Sequence, residues 1–312
     1  MSLSGRDAYK DELTLLAEQD QTIVAIEADL GGKKHQFAQQ FPDRFFNLGI
    51  AEMTSVDLCA GLAEGGFKPF FSTFAPFVAL RCAENIKLAM GYMHKNINIV
   101  SCYGGVSGGW FGTTHHSLED IAVIQTFQNI KIACPHGEEE TRRVIREAAI
   151  SEQPYYIRLS RNESFDSLPS IAQGDQYTVD GAWIEDAPIA LISIGEQATE
   201  MAIQLKKEQP HLNHLHLCYV DKQSLISNLK KIENSAAQII VIEEHRQSGS
   251  VGSYLSLLLP HKQVYSFTPN EQWPKYGGSH EDVLEYLGFT KEKLTQFIYE
   301  VKEGSPLCSY PY

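Results

Sequence analysis

Asn47-Leu48-Gly49-Ile50-Ala51-Glu52 places a carboxylate where an apolar run, Met53 to Leu62, begins with the spacing of a packed helix. Phe45 to Leu48, just before it, reads as a strand, so the segment is a strand feeding a helix, the repeating unit of an α/β fold. Two readings of Glu52 stand. A glutamate at a helix start serves as a cap or a partner of the helix dipole. An apolar setting raises the free energy of an ionised carboxylate, so a glutamate placed there is also suited to hand a proton to a bound heterocycle.

Upstream, Asp7 to Glu18 has helical periodicity, and Thr22 to Glu27 is a short apolar strand that opens into Ala28-Asp29-Leu30-Gly31-Gly32. A carboxylate and glycines just past a strand mark the rim of an open α/β sheet, where ligands usually lie. Downstream, Phe67 to Ser72 is predicted as a strand, Phe77 to Met90 as a helix and Ile97 to Ser101 as a strand. Ile130 to Cys134 and Tyr155 to Leu159 are further strands, separated by an amphipathic helix over Glu138 to Ala149. Ser160 to Asp186 is poor in apolar runs and suits a linker. Beyond it the alternation restarts, with strands at 189–194, 214–220 and 239–243 and helices at 199–207, 225–232 and 251–259. Short helices at 283–287 and 291–299 close the chain.

The chain has 312 residues and 43% hydrophobic content, enough to fill two cores. Lysine and arginine number 26 against 39 acidic residues, a net charge of −13, and no basic run is present that would suit a nucleic-acid or anionic membrane surface. Six cysteines without any Cys-x-x-Cys spacing read as reduced core thiols. With no leader-like start and no apolar stretch of membrane length, a soluble cytoplasmic protein is expected.

Gly104 to Gly109, followed by Trp110-Phe111-Gly112-Thr113-Thr114-His115-His116-Ser117, joins glycines to aromatic and imidazole groups. The stretch is either a loop whose backbone closely approaches a ligand or a mobile surface loop. His115 or His116 would serve as a donor or proton shuttle rather than as a metal ligand, and no metal site is expected in this chain. Phe74 and Phe77, flanking Pro76, either grip a planar ring or pack a core. His211, His214 and His216 have no evident acidic partner and read as surface or partly buried residues. Glu243-Glu244-His245-Arg246 at a strand end is open to a catalytic, a capping or a subunit-contact reading. Neither a Gly-x-Gly-x-x-Gly fingerprint nor a Gly-x-x-x-x-Gly-Lys-Ser/Thr phosphate loop occurs.

With Glu52, the Thr73-Phe74 turn and Gly112-Thr113-Thr114-His115 in place, the chain resembles the transketolase family of thiamine diphosphate enzymes, in their C-terminal two-thirds. The resemblance implies a pyrimidine-binding thiamine diphosphate fold, a parallel sheet flanked by helices, over 1–165. It further implies a linker at 166–186 and a smaller α/β transketolase C-terminal domain at 187–312. In that family the glutamate matched by Glu52 bonds to the pyrimidine ring, which aromatics at the positions of Phe74 and Phe77 hold, and Ala28-Asp29-Leu30 matches a turn near the cofactor. Arg6 and Arg161 stand at positions that contact a sugar phosphate, and Lys33 replaces a serine that does so. His115 matches a histidine that bonds substrate oxygens. Glu52 and His115 are thus the expected catalytic pair.

Two departures accompany the match. Phe111 stands where the family has an aspartate that holds a sugar hydroxyl, and Tyr103 where it has a histidine that reaches substrate oxygens. A phenyl ring cannot accept a hydroxyl proton, so an unusual donor or acceptor is expected, an apolar or aromatic partner molecule in a specialised biosynthetic route among the options. The family's diphosphate-binding segment and its Mg2+ belong to an N-terminal domain. The resemblance therefore implies a second polypeptide carrying that domain and holding the Mg2+, in an α2β2 assembly whose sites form across subunits. The reaction implied is transfer of a two-carbon ketol unit from a ketose, as its phosphate, to an aldehyde. The beta subunit of a 2-oxo acid decarboxylase or dehydrogenase is the alternative. A deoxyxylulose phosphate synthase type and a non-catalytic scaffolding role are further options.

Overall fold

A computed structural model describes residues 2–31, 35–160, 164–166, 168 and 176–304. The first half runs α1 (Gly5–Gln19), β1 (Ile23–Glu27), α2 (Gln36–Gln40), β2 (Phe45–Asn47), α3 (Glu52–Glu64), β3 (Lys68–Phe74), α4 (Ala83–Ile86), β4 (Asn98–Cys102), α5 (Asp120–Gln125), β5 (Lys131–Ala133), α6 (Gly137–Ile150) and β6 (Tyr155–Arg158). Its six strands form one parallel sheet in the order β2-β1-β3-β4-β6-β5. Every residue of β1 and β4 is buried, as expected of strands covered on both faces.

The period of two sorts those strands onto two layers. Ile23 and Ala25 face α1 and α6, joining Tyr9, Leu13, Val144 and Ile145. Val24 and Ile26 face the opposite side, with Val56 and Cys59 of α3. Each fully buried branched side chain there contributes roughly 1.5–3 kcal/mol.

The second half runs β7 (Tyr177–Val179), β8 (Ile189–Ile194), α7 (Glu196–Glu208), β9 (Asn213–Leu217), α8 (Lys222–Glu233), β10 (Gln238–Glu243), α9 (Val251–Leu258), β11 (Gln263–Phe267), α10 (His280–Tyr286) and α11 (Lys291–Lys302). Its sheet is ordered β11-β10-β8-β9-β7, parallel except for the antiparallel edge strand β7. The fold is thus α/β, with a six-stranded parallel sheet flanked by helices and a second, five-stranded sheet beyond it.

Three elements depart from the sequence reading. The helix expected over Phe77 to Met90 is broken into a wide π-helical turn at Phe77–Arg81, the single α-turn α4, and a second π-helical stretch at Lys87–Tyr92. Val78, Ala79, Cys82, Ile86, Ala89 and Met90 nevertheless remain buried, so the widened turns keep the apolar face inward. Tyr177–Val179, inside the stretch expected as linker, pairs with Leu215–Leu217. The strand expected to run to Val220 ends at Leu217, and Cys218 to Val220 cross to the first sheet, where Val220 N donates to Ile132 O at 2.9 Å.

Histidines expected near the surface also lie deeper. His214 and His216 are buried, the first against Asp180 at 2.9 Å and the second against Glu140 of α6 at 2.7 Å. Cys59, Cys82, Cys102, Cys134 and Cys218 are buried free thiols, and Cys308 lies outside the described residues. Among the described residues no helix is long and apolar enough to cross a membrane.

Candidate active site

In the first sheet the strand order reverses at β1, between β2 on one side and β3 on the other. In open α/β sheets ligands lie outside the carboxyl ends of the strands at such a reversal. Here β1 runs out into Ala28-Asp29-Leu30, β3 ends at Phe74, and β4 runs into Tyr103. Asp29 and Tyr103 take φ angles of 53° and 62°, a region L-residues occupy at a cost and one that clusters at functional sites. Buried Leu30, Cys102 and Tyr103 pack together with Phe74 against them.

Glu52 opens α3, whose preceding residue Ala51 supplies no side-chain cap. Its side chain is 4% exposed, and Nη1 of Arg81 donates to both carboxylate oxygens at 2.8 Å. Arg81 is the functional neighbour that sequence reasoning missed, because the π-helical turn decides which way it faces. Its guanidinium lies 4.3 Å from the centre of the Phe77 ring, and its side chain is 42% exposed. Burial first, then the nearby Glu52, pushes the Cys82 thiol up to about 12, which leaves that thiol a core residue.

From Phe77 the contacts run on through rings. Phe77 lies 5.5 Å from Phe74 and 4.9 Å from His115, Phe74 stacks on Tyr103 at 4.6 Å, and Phe111 stacks on His115 at 4.6 Å. Trp110 adjoins Phe111, and both keep nearly half of their surface exposed at the mouth of the cluster. Burial, then the charge of Arg81, holds the His115 imidazole below its ordinary value and so neutral near pH 7. Thr114 Oγ1 lies 3.0 Å from His115 Nδ1, which leaves Nε2 as the nitrogen able to serve a substrate oxygen.

The structure therefore brings Glu52, Phe74, Phe77, Tyr103, Phe111 and His115 into one chain of contacts. Arg6 sits apart, in the first turn of α1, one turn before Lys10, whose Nζ lies 3.7 Å from buried Glu27. Burial pushes the Glu27 carboxyl up, partly offset by Lys10 and Arg6. Asp29 is exposed at the rim, and the turn touches the rings through Leu30 instead. Lys33 and Arg161 lie outside the described residues.

A buried carboxyl linked through Arg81 to two neighbouring phenyl rings suits, once protonated, a planar heteroaromatic base that accepts a hydrogen bond. Among the described residues no cluster of three or more His, Cys, Asp or Glu side chains is placed to hold a metal ion.

The Glu243-to-Arg246 segment is not part of this cluster. Glu243 accepts from the Val251 and Gly252 amides at 3.0 and 2.8 Å and so caps α9, while Glu244, His245 and Arg246 turn toward the first sheet.

Residues 1–165 match the family model described as transketolase, pyrimidine binding domain. The chain is 29% identical over 299 residues to one of the subunits of the apulose-4-phosphate transketolase of Phocaeicola vulgatus, covering 92% of this chain and 94% of that one. It is 31% identical over 246 residues to the corresponding apulose-4-phosphate transketolase subunit of Actinobacillus succinogenes, covering 76% of each. Among solved structures it superposes with a TM-score of 0.75, at 27% identity, on a chain described as a split gene transketolase, inactive β4 tetramer, covering 95% of this chain and 97% of that one.

Proposed function

The chain belongs to the transketolase family, as a C-terminal subunit of the split kind, and from that premise we propose that it supplies the pyrimidine-binding half of a two-carbon ketol transferase. The observation that carries the reading is Glu52, buried at the switch point of the sheet with Phe74 and Phe77 linked to it through Arg81. Thiamine diphosphate, when bound, supplies the nucleophilic carbon and the electron sink for ketol transfer.

Each residue of this chain then has a stated task. Glu52 would hold the pyrimidine ring nitrogen through one carboxyl oxygen, which requires Arg81 to yield that oxygen and the carboxyl to have taken up a proton from solvent before it can donate one. Phe74 and Phe77 fix the plane of the ring, and together with Tyr103 they exclude water from it. His115, neutral, offers Nε2 to a substrate oxygen as charge develops there. Arg6, Lys33 and Arg161 are proposed phosphate contacts, two guanidinium groups and an ammonium suited to a dianion. Asp29 is proposed as a contact at the cofactor rim.

Diphosphate and Mg2+ fall to a partner subunit of the N-terminal type, in an α2β2 assembly. The description of one relative's β4 tetramer as inactive supports that requirement. The wall formed by Tyr103, Phe111 and Trp110 favours a donor or acceptor with an apolar face over one recognised only by its hydroxyls.

The test is to assay the purified chain with and without such a partner, supplying thiamine diphosphate, Mg2+, a panel of ketose phosphates with polar and aromatic aldehydes, and pyruvate. Ketol transfer only in the mixture is expected. Full activity of this chain alone overturns the split assignment, and turnover of pyruvate in place of ketoses moves the protein to the decarboxylase class.

A further inference from the structure

The second sheet also has a reversal of strand order, at β8 and β10, and thus its own crevice at the carboxyl ends of those strands. Gly195 follows β8 there, and Glu244-His245-Arg246 follow β10. The crevice is lined by Gly195, Glu196, Glu244 and His280 from the second half and by Gly104 and Arg158 from the first. Where a ligand would enter, the chain has inserted its own loop, the glycine-rich stretch that carries Trp110, Phe111 and His115.

The contacts fall on both flanks of that loop. At its start, Val106 N donates to Glu244 Oε1 at 2.6 Å, and the Glu244 carboxyl lies so close over Gly105 that a Cβ at that position would stand 2.2 Å from it. Gly105 also takes φ +65°, so both space and backbone require glycine. At its end, Arg246 N donates to Leu118 O at 2.7 Å and Arg246 Nε to Glu119 at 3.2 Å. Ala122 N donates to His245 Nε2 at 3.3 Å, while His245 Nδ1 lies 2.7 Å from Arg246 O. Arg158 ties the two halves by donating to Ser117 O at 3.1 Å and to Glu244 O at 2.9 Å. Across the loop's middle, Gly109 packs against Gly278 and Ser279, and Thr113 Oγ1 donates to Pro274 O at 3.1 Å.

We infer that the second α/β unit is the device that positions the aromatic loop of the active site, with Glu244 as the positioning residue and His280, 3.1 Å from its Oε1, holding that carboxylate in place. Glu244 reaches no reacting atom; it acts through Val106 and Gly105 on the placement of Phe111 and His115. Burial pushes the carboxyl up, but His280, Arg158 and the Val106 amide outweigh that and hold it below the ordinary glutamate value, as suits a permanent acceptor. The catalytic consequence rests on the ketol-transfer reading; the mechanical one does not.

The experiment compares wild type, Glu244→Ala, Glu244→Gln and His280→Phe as full chains mixed with the N-terminal-type partner. It reads amide hydrogen exchange peptide by peptide, thiamine diphosphate affinity, and KM and kcat separately. Glu244→Ala should speed exchange across 104–119 by about 10- to 100-fold, the equivalent of one charge-assisted bond, while β1 and α3 keep their protection. Its KM should rise by a similar factor with cofactor affinity unchanged, Glu244→Gln should restore most of both, and His280→Phe should fall between. Loop exchange that stays at wild-type rates, or that rises only in step with the whole chain, overturns the inference. Should Glu244→Ala not fold, the same two outcomes in His280→Phe decide. If the loop loosens as expected but no variant and no wild type turns over a ketose, the functional reading fails and the clamp stands.

Discussion

Two buried glutamates, one in each half, are held in opposite ways. Glu52, at the rim of the first sheet, has a guanidinium partner whose side chain is 42% exposed and free to be solvated when it leaves. Glu244, at the end of β10, is enclosed by Val106 N, His280 and the backbone of Gly105, all of them fixed in the fold. A carboxylate with one removable partner can exchange that partner for a ligand. A carboxylate with several immovable ones can only hold the chain.

Glu52→Gln should test the first half of that contrast most severely. Loss of the proton donor should lower turnover in the mixed subunits by about 10²–10⁴-fold. Unfolding in urea should change by about 1 kcal/mol or less, since the pair it breaks is half solvated. Near-normal turnover would remove Glu52 from the reaction. The matching change in the second half is Glu243→Ala, which strips the acceptor from the Val251 and Gly252 amides at the start of α9. It should cost about 2–4 kcal/mol of stability, measured by the same denaturation, while thiamine diphosphate affinity stays at the wild-type value. A loss of cofactor affinity without loss of stability would erase the distinction between the halves.

His136 marks the junction between them, its ring 6.0 Å from that of His216 on β9 and 3.1 Å from Asp166 O. Burial, then the charge of His216, pushes the His136 imidazole down to about 3. The unfolded chain takes up this proton below about pH 6.5 and the folded chain does not until about 3, so its effect is absent above that window and destabilises increasingly within it. Lowering the pH from 7 to 5 should cost on the order of 2 kcal/mol from this residue. His136→Gln should flatten the pH dependence of unfolding by that amount, and an unchanged slope would show that His136 titrates freely in the folded state.

The elements legible in the sequence were those fixed by local pattern. The short, largely apolar stretches of β1, β4, β8 and β10 identify buried parallel strands, and Glu52, Phe74, Phe77 and His115 fall within short segments whose strand-to-loop placement is itself local. What stayed hidden depends on partners far along the chain. Glu244 meets Val106 across 138 residues, and His216 meets Glu140 across 76, so neither buried pair leaves a mark in its own neighbourhood. Strand β7 is only Tyr177–Val179 and exists by pairing with β9, which no three-residue window can announce. Arg81 is the instructive case, because a regular helix was expected through it and a regular helix would have turned it elsewhere.

That residue also sharpens the contrast by the smallest margin. In the free subunit Arg81 occupies both oxygens of Glu52, the same atoms a pyrimidine ring nitrogen requires, so the guanidinium competes with the ligand. A pair with one partner so solvated is worth about 1 kcal/mol or less, which sets the most that relief of competition can return. Arg81→Gln should therefore tighten thiamine diphosphate binding by the mixed subunits by up to about fivefold in a fluorescence titration. If the variant instead binds more weakly, Arg81 orients Glu52 for the ligand rather than guarding it, and the Glu52 site becomes as fixed as that of Glu244.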